Sequence, residues 1–263
     1  MPARLALDCM SAGEPITIAV LGMGVIENGG PDDDLRIADA YRDLAVDTDP
    51  ADTVRTYYLE QAEEHPWMAE PLKVLTDLVD SPDDDVQDKI RHVAKVLSDQ
   101  SIRGCEEWAE TDLIGRVMLD MMHLAHRRKH VTGYMVTPYG SAIGALMTDP
   151  EQVELMGSMT DLWAGSGMRC IGVALAMRMI GRDPEKIRWR LMDADPLMRA
   201  ACAINVRAFD LGEQIEILDG KPYKEAILAA YADGGAAALA GFIDLDALEA
   251  VPPDVANAIR DNL

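Results

Sequence analysis

The chain has 263 residues, 49% of them apolar, and a formal net charge of −22 from 46 acidic and 24 basic residues. This length and apolar content suit one large domain, or a core domain with a smaller neighbour. A uniformly acidic surface repels nucleic acid, and no apolar run approaches the roughly 20 residues of a membrane span.

The charge is unevenly placed. Acidic clusters fall at 32–34, 47–52 and 80–88, whereas basic residues gather at 126–130 and again at Lys186, Arg188 and Arg190. The N-terminal stretch MPARLALDCMSAGEP lacks the long apolar region of a secretory signal. Cys9, Cys105, Cys170 and Cys202 form no CxxC pair, so neither a zinc knuckle nor a disulfide framework is suggested. The expectation is a cytoplasmic protein with reduced thiols and no membrane partner.

In chain order, the apolar run 16–21 fits either a strand or a buried helix. Residues 52–62 are rich in helix formers, with Asp52 as the expected cap. Residues 68–79 place Leu72, Val74, Leu75 and Leu78 at helical spacing, and Ser81-Pro82 follows. Residues 85–97 repeat the pattern with Val86, Ile90, Val93, Val96 and Leu97, and 112–127 continue it with Leu113, Val117, Met121 and Leu124. Residues 1–130 therefore read as a mainly helical, acidic N-terminal domain.

Past residue 150 the rhythm changes. An apolar run at 158–163 ends at a glycine turn, and a helix is expected at 170–180. A strand at 187–192 ends in Asp193, Ala194, Asp195 and Pro196. An Ala-rich helix at 197–209, a strand at 214–218, a helix at 223–232 and a fourth strand at 236–243 complete the alternation. Strand and helix at this pitch predict an α/β domain with a parallel sheet over 131–263.

In such a sheet, ligands bind beyond the carboxyl ends of the strands. The first strand here delivers Asp161 and then Ala164-Gly165-Ser166-Gly167, where glycines let the backbone approach a ligand. The second strand ends in Asp193, a carboxylate that can accept from a ribose diol. The third ends in Asp219, placed to accept from an adenine amino group. That order suits an adenosine ligand. Met168-Arg169-Cys170 follows the turn, so the third glycine of a GxGxxG dinucleotide fingerprint is missing. Asp161 before the turn suits an amino group better than a pyrophosphate, which favours S-adenosyl-L-methionine over NAD.

DLWAGSGMRC (161–170) resembles the first motif of class I S-adenosylmethionine-dependent methyltransferases, D-P-x-x-G-x-G, with Leu162 in place of the proline. Upstream, 112–147 resembles the segment before that motif in N6-adenine DNA methyltransferases, especially type I restriction modification subunits and small phage-borne relatives. Gly133, Thr137 and Pro138 match the Gly-x-x-x-Thr-Pro element in order. Residues 192–220 are also similar, including Ala203-Ile204-Asn205. The resemblance implies a Rossmann-like fold and a cofactor site lined by Thr137, Pro138, Asp161, Ala164, Gly165, Gly167, Asp193 and Asp219. It also implies a DNA substrate and a cytoplasmic setting in a bacterial cell or a phage-infected host.

The fourth family motif, Asn/Asp-Pro-Pro-Tyr/Phe, has no matching form. Asp244 and Asp246 follow the expected fourth strand without prolines or an aromatic, and they are the catalytic candidates. Val251-Pro252-Pro253-Asp254 fits the first turn of a final helix. The expected function is a methyltransferase of this kind. The alternative is a non-catalytic relative that binds S-adenosylmethionine or protein, such as a subunit or a phage anti-restriction factor. With only four strands placed, either the front domain, a protein partner or a second copy completes the sheet, or the domain is a reduced one. His123, His126 and His130 share a helix face, but Arg127, Arg128 and Lys129 beside them repel a cation, so no metal site is expected.

Overall fold

The computed structural model describes residues 50–99, 114–115 and 148–222. The strand or buried helix expected at 16–21, the strand expected at 236–243, the helix expected at 223–232 and the domain boundary expected at 130 lie outside them. Of the helix expected at 112–127, only Ile114 and Gly115 are described; both are helical, and Ile114 is buried.

Three front helices come first: α1 (Pro50–Glu64), α2 (Ala69–Val79) and α3 (Asp84–Asp99). Each buries residues at helical spacing: Val54 and Tyr58 in α1, Leu72, Leu75 and Val79 in α2, Val86 and Ile90 in α3. Asp52, expected as a cap, instead sits in the first turn of α1, because the helix already starts at Pro50. There its charge meets the positive end of the helix dipole. Gln87 closes the joint between α2 and α3, donating from Nε2 to the carbonyls of Val79 at 2.7 Å and Ser81 at 2.9 Å.

A short helix, α4 (Pro150–Met156), precedes the sheet. Asp149 caps it by accepting from the Glu151 N–H at 2.9 Å. Gly157, in the left-handed region, ends it directly before the first strand. No apolar repeat announces α4, since seven residues give at most two turns and only Val153 is buried.

The sheet has three parallel strands in the order β1 (Ser158–Asp161), β2 (Arg188–Asp193), β3 (Ile215–Asp219). Helices α5 (Met168–Met179) and α6 (Pro196–Ala208) make the two crossovers. The described architecture is thus mixed α/β with a parallel sheet, as the strand–helix rhythm predicts. The register pairs Met159 with Trp189 and Trp189 with Ile215, then Leu191 with Ile217, so these side chains share one face. Trp189, Leu191, Ile215 and Ile217 on that face are buried. The other face carries Arg188 and Arg190, both paired with Glu216.

Helix α6 explains how the front helices join the sheet. Ala200, Ala201, Cys202, Ala203, Ile204 and Val206 are all fully buried. A helix that buries seven consecutive residues must be covered on several sides, and α6 is packed between β2 and β3, α5, and α2 of the front segment. Its small side chains permit that close packing. One apolar cluster runs from Tyr58 and Leu75 through Ile204 to Trp189. Among the described residues, no helix is long and apolar enough to cross a membrane.

Candidate ligand site at the carboxyl edge of the sheet

Strand β1 stops at Asp161, two residues earlier than its apolar run predicts. The chain turns at Leu162 and Trp163, and the Ala164 N–H then bonds the Met192 carbonyl of β2 at 2.8 Å. Within the turn, the Gly167 N–H bonds the Ala164 carbonyl at 2.8 Å, and Gly167 becomes the N-cap residue of α5.

Two glycines shape this turn in different ways. Gly165 has φ +55°, and a Cβ there would meet nothing within 4 Å among the described residues. Gly167 has φ +89°, and a Cβ there would lie 3.1 Å from Cys202 Sγ and 3.4 Å from Val206 Cγ2. Gly167 thus lets the turn sit on α6, whereas Gly165 leaves the opposite side of the turn clear. Asn205, fully buried in α6, donates from Nδ2 to the Ser166 carbonyl at 2.8 Å.

Asp193 ends β2 and ties the edge together. Its Oδ2 accepts from the Gly165 N–H at 3.0 Å, and its Oδ1 accepts from the Asp195 N–H at 2.9 Å. Burial is the main cause holding its carboxyl above the usual carboxylate range, against the pull of those two N–H groups. Asp195 caps α6 through the Leu197 N–H at 2.9 Å. The Gly220 N–H after β3 bonds the Asp193 carbonyl at 3.0 Å. Arg199 donates to the same carbonyl at 2.8 Å and stands 3.5 Å from Asp219 Oδ1. The Asp219 side chain is half-exposed, and its Oδ1 accepts from the Lys221 N–H at 2.9 Å.

Asp161 is differently employed. Its side chain is 1% exposed and is clasped by Arg169 from the first turn of α5. Arg169 Nε donates to Oδ2 at 2.8 Å and Nη2 donates to Oδ1. The Trp163 N–H donates to Oδ1 at 3.0 Å, and the Cys170 thiol lies 3.6 Å from Oδ2. Burial, with Asp161 as the next cause, raises the Cys170 thiol well above its ordinary value, so it stays protonated.

The structure therefore brings Asp161, Ala164, Gly165, Gly167, Asp193 and Asp219 to one edge. Thr137, Pro138, Asp244 and Asp246 lie outside the described residues, as do His123, His126 and His130. No cluster of three metal-ligating side chains occurs among the described residues. Sequence reading gave no role to Arg169 or Arg199, because neither belongs to a periodic pattern. Asn205 entered it only through a three-residue likeness. Each takes its place from the packing of a helix against the turn. No family model, no curated protein and no solved structure matches the chain.

Proposed function

We propose that the chain binds S-adenosylmethionine at this edge and acts as a Rossmann-like class I methyltransferase, with an amine of DNA as acceptor. The observation that carries the reading is Asp193. Each of its oxygens accepts one backbone N–H, and a carboxylate oxygen has two lone-pair directions. Among the described residues, one acceptor direction per oxygen thus remains for the two hydroxyls of a ribose, beside a turn whose Gly165 side meets no described neighbour. The order β1-β2-β3, with a glycine turn after β1 and acids after β2 and β3, matches the first half of a doubly wound sheet. Asp219 stands next along the edge, where an adenine amino group would follow the ribose.

In this reading S-adenosylmethionine, when bound, would supply the methyl group from its sulfonium, leaving the neutral thioether, and the acceptor amine would release a proton to solvent. The chain contributes orientation of the two reactants rather than a covalent intermediate. Calorimetry with S-adenosylmethionine, beside NAD as control, tests the binding step. Asp193→Asn is expected to weaken binding about tenfold, equivalent to roughly 1.4 kcal/mol. Equal affinity in the variant overturns the assigned role of Asp193. Transfer of a tritiated methyl group to unmethylated DNA tests the activity.

One observation favours a second reading. The sequence after Asp219 contains no Asn/Asp-Pro-Pro-Tyr/Phe element, the part that would hold the acceptor amine and stack on a flipped base. A chain that binds the methyl donor without transferring the methyl group to DNA fits that absence. Binding in calorimetry with no transfer to DNA selects this reading.

A further inference from the structure

We infer that Arg169, clasped to Asp161, reads the carboxylate of the ligand's amino-acid end, so that the end of β1 receives an anion rather than an ammonium group. This rests on the proposed binding of S-adenosylmethionine and specifies which of its groups lies beside β1. An open aspartate after the first strand would invite an ammonium. Here the aspartate is not open: its side chain is 1% exposed, and three N–H donors and a thiol surround its two oxygens. An incoming ammonium would have to expel Arg169 and leave a guanidinium without its buried partner.

Arg169 is the exposed member of the pair, with 34% of its side chain accessible. A guanidinium has five N–H donors. Nε and Nη2 serve Asp161, and Nη2 also reaches the Trp163 carbonyl at 3.3 Å. Nη1 makes no hydrogen bond among the described residues, so its two N–H groups remain for a ligand. The two-point clasp fixes the plane of the guanidinium in advance, which lowers the entropy lost when a carboxylate docks on it. Arg169 follows Gly167 by two residues, so the anion it binds sits beside the turn that faces the ribose.

The test compares S-adenosylmethionine with its decarboxylated analogue, which keeps the adenosine, the sulfonium and the amine but lacks the carboxylate. The wild-type chain is expected to prefer S-adenosylmethionine at least tenfold by calorimetry. Arg169→Gln is expected to weaken S-adenosylmethionine at least tenfold, to leave the analogue within about twofold and so to remove the preference. Thermal melting establishes that the variant is folded. If it is not, Asp161→Asn/Arg169→Gln replaces the ion pair with a neutral hydrogen-bonded pair and is expected to lose the preference in the same way. An unchanged preference in the folded variant overturns the inference alone. Tighter binding of S-adenosylmethionine by Arg169→Gln also overturns it, because the guanidinium would then be competing with the ligand's ammonium. Failure of the wild-type chain to bind either compound overturns the cofactor reading and this inference together.

Discussion

Asn205 Nδ2 donates to the Ser166 carbonyl at 2.8 Å, joining the middle of α6 to the glycine turn across 39 residues of sequence. The bond makes the turn's conformation depend on the seating of α6. Asn205 is fully buried, so replacing it by an apolar side chain removes this bond at a site closed to water. Asn205→Leu is expected to lower unfolding free energy by about 0.5–1.5 kcal/mol, the usual net worth of one hydrogen bond. Urea titration followed by circular dichroism measures it. An unchanged midpoint and slope would show that the turn holds itself without α6.

The two glycines of the turn are expected to rank unequally. Gly167→Ala combines a positive φ with crowding against Cys202 and Val206. It is expected to cost about 2–3 kcal/mol. Gly165→Ala meets the conformational cost, about 1–2 kcal/mol, since among the described residues nothing stands within 4 Å of the added methyl. Cys202→Ala in the Gly167→Ala background should restore part of the loss, because it removes the nearest atom but not the strain. Paired thermal melts give the ranking, and equal losses at the two positions would contradict it.

Asp193 predicts a pH dependence. Burial holds its carboxyl above the usual range in the folded chain. A group raised in the folded state binds its proton more tightly there than when unfolded. Its contribution to stability is therefore complete below the unfolded carboxylate value and is lost as pH rises through the folded value. The stability of the wild-type chain relative to Asp193→Asn should thus decline from acid toward neutral pH. Denaturation at stepped pH reads this difference. A difference that grows toward neutral pH would show that the Gly165 and Asp195 N–H groups outweigh burial.

A polar cluster fastens the front helices to the end of α6. Arg207 Nε donates to His65 Nε2 at 2.8 Å, and His65 Nδ1 lies 2.8 Å from Glu213 Oε1. Trp67 Nε1 donates to Glu213 Oε2 at 2.9 Å. The His65 side chain is 12% exposed and that of Glu213 is 62% exposed. Removing Glu213 is therefore expected to cost no more than about 1 kcal/mol, as exposed pairs do. His65→Ala leaves the Arg207 donor without its acceptor and is expected to cost about 1–3 kcal/mol. Chemical denaturation of both variants should show the larger loss at His65. The reverse order would place the linkage in the Trp67–Glu213 bond instead.

Sequence by itself determined the local pieces. The spacing of Leu72 and Leu75 marked α2, that of Val86 and Ile90 marked α3, and the acids after two apolar runs marked the ends of β2 and β3. These signals are legible because a helix or strand repeats its buried positions at a fixed short period. The glycine turn was legible too, since positive φ calls for glycine. It failed at α4, too short to repeat, and at the start of α1, where Asp52 lies inside the first turn. Only the tertiary structure decided what the carboxylates face. It turned Asp161 inward to Arg169, set Asp193 against Gly165, and brought Asn205 beneath Ser166. Those pairings depend on how α5 and α6 seat against the sheet. A charged or amide side chain carries no periodic trace of the partner it meets 8, 28 or 39 residues away.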